Sequence, residues 1–207
     1  MAQRIVIIGG GPAGYEAALV GAKYGAEVTV VEDAGMGGSS VLWDCVPSKA
    51  FIAATGVRTD MRRADEMGLR PDFSQRKIDF TAVNERVKRL AQQQSDDVRA
   101  QMEREGIKML QGRGRLDDHD PGRVTHYVTV DLLEGGEVTL EADLVLVCTG
   151  ASPRILPGAI PDGDRILTWR QVYELDELPE HLIVVGSGVT GAEFVSSFTE
   201  LGVKVTM

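Results

Sequence analysis

Two glycine sets, a strand-end acid and one cysteine–lysine segment are the residues whose types and spacing suggest chemistry in this chain of 207 residues. Gly9, Gly11 and Gly14 spell G-x-G-x-x-G within GGGPAG, with Pro12 and Ala13 inside the motif. Gly9 permits a tight turn, Gly11 lets a diphosphate approach the backbone, and Gly14 lets the following helix pack close on the strand. The helix N-terminus then offers unpaired N–H groups to the anion. Glu32 lies 18 residues past Gly14, at the end of the next β-branched run. A carboxylate there suits ribose hydroxyls, although an ordinary surface acid would read the same way. Gly186, Gly188 and Gly191 repeat the motif in GSGVTG, 177 residues after the first glycine. Two such motifs suggest two dinucleotides, and a protein holding two commonly passes a hydride between them; a vestigial repeat is the alternative.

These motifs need strands and helices to position them. Ile5–Ile8 is a continuous β-branched run of the kind buried on both faces. Pro12 to Tyr24 is Ala-rich and begins with a proline, which the first helical turn accepts without loss. Glu27–Val31 is a second strand, so the first 32 residues form a β-α-β unit and imply a parallel sheet. A helix is expected to follow Cys45 through Ala50–Val57, and Arg58–Ile78 reads as charged and irregular. Phe80, Val83, Val87, Leu90, Val98 and Met102 mark a long amphipathic helix stopped at Gly106. Ile107–Leu110 opens a strand, Val124–Leu133 and Glu137–Leu140 read as a hairpin, and Leu144–Cys148 is another buried strand. Ala151–Asp164, with three prolines and two glycines, is a connector. Leu182–Val185, Ala192–Leu201 and Val203–Thr206 then read as strand, helix and strand.

Composition narrows the function classes. The chain is 43% hydrophobic and 26% charged, enough to bury a core. A net charge of −9 without a basic block argues against nucleic acid and anionic membrane surfaces. No apolar run reaches the roughly 18 residues of a membrane span, and the N-terminus does not read as a signal peptide. Two cysteines, Cys45 and Cys148, make no disulfide framework, which fits a cytoplasmic location. His119, His126 and His181 share no metal-ligand spacing, and Asp117, Asp118 and Asp120 read as a solvated loop. Trp43 and Trp169 read as packing residues, and the charged stretch Arg58–Arg63 as a surface helix end.

The order GGGPAG, Glu32, GG-x8-PSK, Thr149-Gly150 and GSGVTGAEF resembles the N-terminal part of the flavoprotein disulfide reductases, the group of dihydrolipoamide dehydrogenase and glutathione reductase. The resemblance implies an α/β fold: a Rossmann-like FAD-binding domain with a β-hairpin insertion, then the start of a second Rossmann-like NAD(P)-binding domain. It places the FAD-binding segment over 1–155, a connector over 156–180, and the first β-α-β of the NAD(P)H domain over 181–207. It assigns Gly9, Gly11, Pro12, Ala13, Gly14 and Glu32 to FAD, Thr149 and Gly150 to a turn against FAD, and Gly114 to a loosely matched adenine contact. Gly186, Gly188 and Gly191 fall to NAD(P)H. Lys49 matches the lysine near the flavin N5, and Glu193 the acid that pairs with it. A cation there stabilises negative charge on reduced flavin. Without the resemblance, a solvated Lys49 and a helix-surface Glu193 would be the plainer reading.

One departure matters. The family spaces its redox cysteines as C-x4-C, and Cys45 takes the second place while Ser40 stands in the first. A hydroxyl neither forms nor attacks a disulfide as a thiolate does, and Cys148, in an apolar strand, reads as a small buried hydrophobe. The runs SSVLWDCVPSK, CTGASPRILP and ILTWRQVYELDELP resemble a lipoamide-dehydrogenase-like branch of NAD(P)H:quinone reductases. That implies FAD, NAD(P)H as co-substrate, a quinone-type acceptor and a homodimeric full-length enzyme. Cys45 is then either a thiolate in contact with the flavin or a packing residue. A dihydrolipoamide dehydrogenase-type activity, a noncatalytic FAD-binding fragment and a flavin-free NAD-dependent dehydrogenase are the rival readings. The family continues beyond the equivalent of Met207, so the chain is expected to be the first part of a longer enzyme.

Overall fold

The computed structural model describes residues 2–69, 78–117, 122 and 124–207. His119, Asp118, Asp120 and residues 70–77 of the stretch expected to be irregular lie outside them, while the start of that stretch, through Met67, is helical. The chain divides into two compact units, Met1–Leu42 with Gln92–Ser152, and Trp43–Ala91 with Pro153–Met207.

The first unit is built on a six-stranded sheet whose strands lie in the order β5 (Glu137–Ala142), β4 (His126–Leu132), β3 (Lys108–Leu116), β2 (Glu27–Glu32), β1 (Arg4–Ile8) and β6 (Leu144–Val147). β1 pairs in parallel with β2 on one side and β6 on the other. Ile8 stands level with Val31 and Val147, so the three strands end together, and Gly9, Glu32 and Cys148 emerge at one edge. Ligands of open parallel sheets bind outside such carboxyl ends. α1 (Pro12–Lys23) crosses over between β1 and β2 with Pro12 in its first turn, and the short helix α2 (Gly38–Leu42) follows β2. The helix closes at Gly25, whose φ of 82° suits a residue lacking Cβ. Ile7, Val30 and Ala18, each fully buried, pack with Val98 and Met102 of the long helix α4 (Phe80–Arg104). Val6, Ile8 and Val31 form a second cluster with Val128 and Val130.

β3 (Lys108–Leu116) runs further than its apolar start suggested. Its first half pairs in parallel with β2, and from Gly112 onward it pairs antiparallel with β4 (His126–Leu132). A Cβ at Gly112 would lie 2.5 Å from the Asp131 carbonyl oxygen, so the strand changes partner where it has no side chain. β4 and β5 (Glu137–Ala142) form the expected hairpin, turned by Gly135 and Gly136 at φ near 90°.

The second unit contains α3 (Cys45–Arg63), the first part of α4, α5 (Val189–Glu200) and the parallel pair β7 (His181–Ile183) and β8 (Lys204–Thr206). α3 begins at Cys45 and runs beyond the expected Val57. α5 starts three residues earlier than its apolar pattern suggested, because Gly188 serves as its N-cap. Phe51 of α3 is the hub of an aromatic core, with its ring centroid 5.5 Å from Phe198, 6.1 Å from Phe80 and Tyr173, and 6.5 Å from Phe194. Trp43 and Trp169 lie 4.3 Å and 5.3 Å from the Arg170 guanidinium. They therefore pack on a cation as well as on apolar neighbours.

Candidate functional site

The first glycine loop is shaped by contacts that only missing side chains allow. Gly9 has φ 109°, and a Cβ on it would meet the Cys148 carbonyl oxygen at 2.2 Å. A Cβ on Gly14 would come within 1.8 Å of the Gly9 oxygen. Gly11 differs: its φ of −69° is open to any residue, and a Cβ there would find only Gly38 Cα, at 4.0 Å. Space is thus left at Gly11, beside the first turn of α1. Gly14 and Tyr15 donate to the Gly11 oxygen at 2.9 Å, while the Ala13 amide has no intrahelical acceptor so near the helix start, and Pro12 has no N–H. This open backbone cradle at a helix N-terminus fits a diphosphate.

Glu32 proves to be more than a strand-end acid. Its Oε2 accepts from the Gly10 amide at 2.6 Å, and its Oε1 from the amides of Ala34 and Gly35 at 2.8 and 3.4 Å. The carboxylate ties the glycine loop to the segment after β2, and Oε2, which accepts only one of these bonds, keeps lone-pair capacity for a ribose hydroxyl. That segment, which opens the GG-x8-PSK run, forms a second wall. Gly37 donates to the Gly10 oxygen at 2.8 Å, and a Cβ on Gly38 would lie 2.9 Å from Gly11 Cα. Buried Ser95 of α4 holds the wall from behind by donating to the Met36 oxygen at 2.6 Å. The glycine cluster Gly35, Gly37 and Gly38, all with positive φ, was the available sequence signal. Thr149 and Gly150 leave β6 beside Gly9, and Gly114 lies within β3, where a Cβ would sit 3.1 Å from Ile8 and 3.2 Å from Val31. Gly114 therefore neighbours the residues that precede Gly9 and Glu32.

The second loop repeats this design within the other unit. Gly186 has φ 119°, a Cβ on Gly191 would meet the Gly186 oxygen at 2.1 Å, and nothing crowds Gly188. The N-cap residues Gly11 and Gly188 share φ near −70° and extended ψ. Ala192 donates to the Gly188 oxygen at 3.0 Å, as Tyr15 does to Gly11.

Beside the second loop, α3 and α5 bring Lys49 and Glu193 together. Lys49 Nζ donates to Glu193 Oε1 and, at 3.2 Å, to Ser48 Oγ. The bond to Glu193 raises the ammonium pKa above the ordinary lysine range, and the same bond holds the Glu193 carboxyl below its usual value. Lys49 remains 61% exposed on its side chain while Glu193 is 17% exposed, so the ammonium is anchored yet reachable from solvent. Neither residue is the independent surface group that composition alone would suggest. Cys45 begins α3 and is exposed; Cys148 is half-buried against the first unit's core; both are free thiols. Among the described residues, no group of His, Cys, Asp and Glu is arranged to hold a metal ion, and no helix is long and apolar enough to cross a membrane.

The family model of the pyridine nucleotide-disulphide oxidoreductases matches residues 3–207. The chain belongs to that family. Among pyridine nucleotide-disulphide oxidoreductases it is 58% identical over 210 residues to an NAD(P)H dehydrogenase (quinone) of Mycobacterium tuberculosis, a match covering 100% of this chain and 43% of that protein. It is 34% identical over 203 residues to a dihydrolipoyl dehydrogenase of Chlorobaculum parvum, covering 98% of this chain and 42% of the relative. The crystal structure of LpdA from Mycobacterium tuberculosis is similar with a TM-score of 0.92 and 56% identity, over 99% of this chain and 44% of that one. The expected α/β, Rossmann-like fold is the fold of this chain. The chain spans less than half the length of the curated relatives it matches.

Proposed function

We propose that the whole protein is an FAD-dependent NAD(P)H oxidoreductase that passes reducing equivalents to a quinone-type acceptor without a redox disulfide. The first glycine loop, with Glu32, Thr149 and Gly150, is the FAD diphosphate and ribose site, and Gly114 borders it. The loop of Gly186, Gly188 and Gly191 takes NAD(P)H. In this reading residues 1–155 are the FAD-binding segment, 156–180 a connector, and 181–207 the opening of the NAD(P)H domain. The working form is a cytoplasmic homodimer.

FAD, when bound, supplies the hydride chemistry; the chain supplies charge and position. Lys49, kept protonated by Glu193, offers a fixed positive charge to a ring that gains electrons. Gly11 and Gly38 bring two backbone walls to the diphosphate. The observation that carries the choice of acceptor is Ser40, which stands five residues before Cys45 where the C-x4-C spacing of the family requires a thiol. Without that sulfur the chain lacks a thiol pair to relay electrons, so bound FAD would have to serve an acceptor that needs no thiol, as a quinone does. The 58% identical relative bears a quinone reductase name, which supports the same choice.

Steady-state assays on the full-length protein decide the matter. NADH and NADPH are each offered with a quinone and then with lipoamide. Rapid quinone turnover with negligible lipoamide turnover is expected. Rapid lipoamide turnover without quinone turnover rejects the reading, and a protein whose flavin is not bleached by either nucleotide is a binding fragment instead.

A further inference from the structure

Tyr173 lies in a short 3-10 turn, Gln171–Glu174, and is 3% exposed. Its ring packs 6.1 Å from Phe51 at 86° and 5.7 Å from Phe194. Phe51 is two residues beyond Lys49, and Phe194 directly follows Glu193, so the phenol is wedged beside both helices that carry the ion pair. Phe51, Phe80, Phe194 and Phe198 fill the rest of this core. A hydroxyl on the fifth ring adds nothing to packing, and a buried phenol normally finds a hydrogen-bond partner. Here the Tyr173 hydroxyl is buried without one, and so is Oε2 of Glu193.

Asp44 supplies the other half of the observation. It occupies the N-cap of α3, yet its carboxylate does not cap that helix. It accepts instead from Thr190 Oγ1 of α5 at 3.4 Å. Burial first, then the charges of Asp44 and Glu193, push the Tyr173 phenol well above the ordinary range, so it stays neutral and keeps its proton to donate.

We propose that the Tyr173 hydroxyl donates to one bridging water whose two protons serve the Asp44 and Glu193 carboxylates, and that Tyr173 is thereby a positioning residue for the Lys49–Glu193 pair. Two carboxylates facing one ammonium repel each other, and a neutral donor between them favours the ionised form of both. Lys49 and Ser48 of α3 act on Glu193, Asp44 and Cys45 at the start of α3 act on Lys49, Tyr173 of the turn lies in the field of both Asp44 and Glu193, and Thr190 of α5 donates to Asp44. The pair's importance for flavin reduction rests on the function proposed above; the hydrogen bond itself does not.

The test is Tyr173→Phe in the flavin-loaded, full-length protein, which keeps the ring and removes only the oxygen. The Glu193 carboxyl is titrated by NMR of labelled glutamates without nucleotide, with Glu193→Gln assigning the signal. Loss of a hydrogen bond to an ionised group should raise the Glu193 pKa by about one unit. The acid limb of NAD(P)H-driven flavin bleaching should move up equally, with flavin content unchanged. An unmoved titration overturns the proposal, whatever happens to Tm. A wild-type flavin that NAD(P)H cannot bleach defeats the proposed function alone, since the titration still judges the tyrosine. Should Tyr173→Phe fail to fold, neutron diffraction of the wild-type protein decides. A deuteron on Tyr173 Oη aimed at a water that bridges to Glu193 supports the proposal, and one aimed elsewhere overturns it.

Discussion

Replacing Gly14 and Gly11 one at a time separates the folding role of the first loop from its binding role. In Gly14→Ala the new methyl would sit 1.8 Å from the Gly9 oxygen, where real Cβ contacts essentially never fall below 3.0 Å. Gly9 cannot simply retreat: its amide is bonded to the Val31 oxygen at 2.8 Å, and its own Cβ position is blocked by Cys148. The start of α1 must therefore move away by at least about 1.2 Å. Overpacking of this kind costs about 1–3 kcal/mol, and for a chain of this size each kcal/mol lowers Tm by about 2–4 °C. The displaced helix start also opens the anion cradle, so flavin is lost together with stability. Gly11→Ala is the complement. Its backbone is ordinary, its methyl meets only Gly38 Cα at 4.0 Å, and apoprotein stability should change by less than about 1 kcal/mol. A diphosphate seated against that backbone would nevertheless meet the methyl, and a clash of about 1–3 kcal/mol weakens FAD about 10- to 100-fold. The assay pairs apoprotein melting by circular dichroism with the flavin-to-protein absorbance ratio after equilibration with FAD. Full flavin content in Gly11→Ala, or wild-type melting of Gly14→Ala, would refute the reasoning.

Other perturbations test the remaining parts. Ser95→Ala strands the buried Met36 carbonyl, so it should cost about 1–3 kcal/mol and loosen FAD binding, read by melting and by flavin titration. Lys49→Ala should retain flavin but slow its bleaching by NAD(P)H about tenfold or more in stopped-flow measurements. Glu193 raises the Lys49 pKa, so Glu193→Gln should move the alkaline limb of bleaching to lower pH. Hydrogen bonds from the Arg4 side chain and then its backbone hold Asp143 at about 2, against an ordinary 3.8. Its stabilising contribution is therefore complete above the ordinary value and lost as pH falls toward about 2. The Tm gap between wild type and Asp143→Asn should stay constant near neutral pH and close over that acid window.

Much of the fold was legible because its signals are local. The β-branched run Ile5–Ile8, the helix start at Pro12 and the strand ending at Glu32 each announce themselves within a few residues. So does α4, whose Phe80, Val87, Val98 and Met102 are all buried as their spacing implied. Long-range relations were less visible. β3 outruns its apolar segment because Gly112 and Gly114 allow a change of partner, and composition alone reads them as turn residues. The second wall at Gly37 and Gly38 and its support by Ser95 required knowledge that residues 59 apart in sequence meet. Glu32 was found, but its bond to the Gly10 amide was not, since a motif records an acid and not its orientation. Tyr173 and Asp44 gave no spacing signal, because their significance lies in an unsatisfied hydroxyl and a cap that does not cap.

The pinched pairs Gly9–Gly14 and Gly186–Gly191 divide each loop into parts with different latitude. A methyl group at a pinch is forbidden by main-chain atoms, so selection meets a cliff there and not a slope. The interiors, Pro12-Ala13 in one loop and Val189-Thr190 in the other, carry no such prohibition. Twin loops held to one shape by their pinched glycines are free to differ between them, as they do. There the second carries, in Thr190, a handle on Asp44 for which Ala13 has no counterpart.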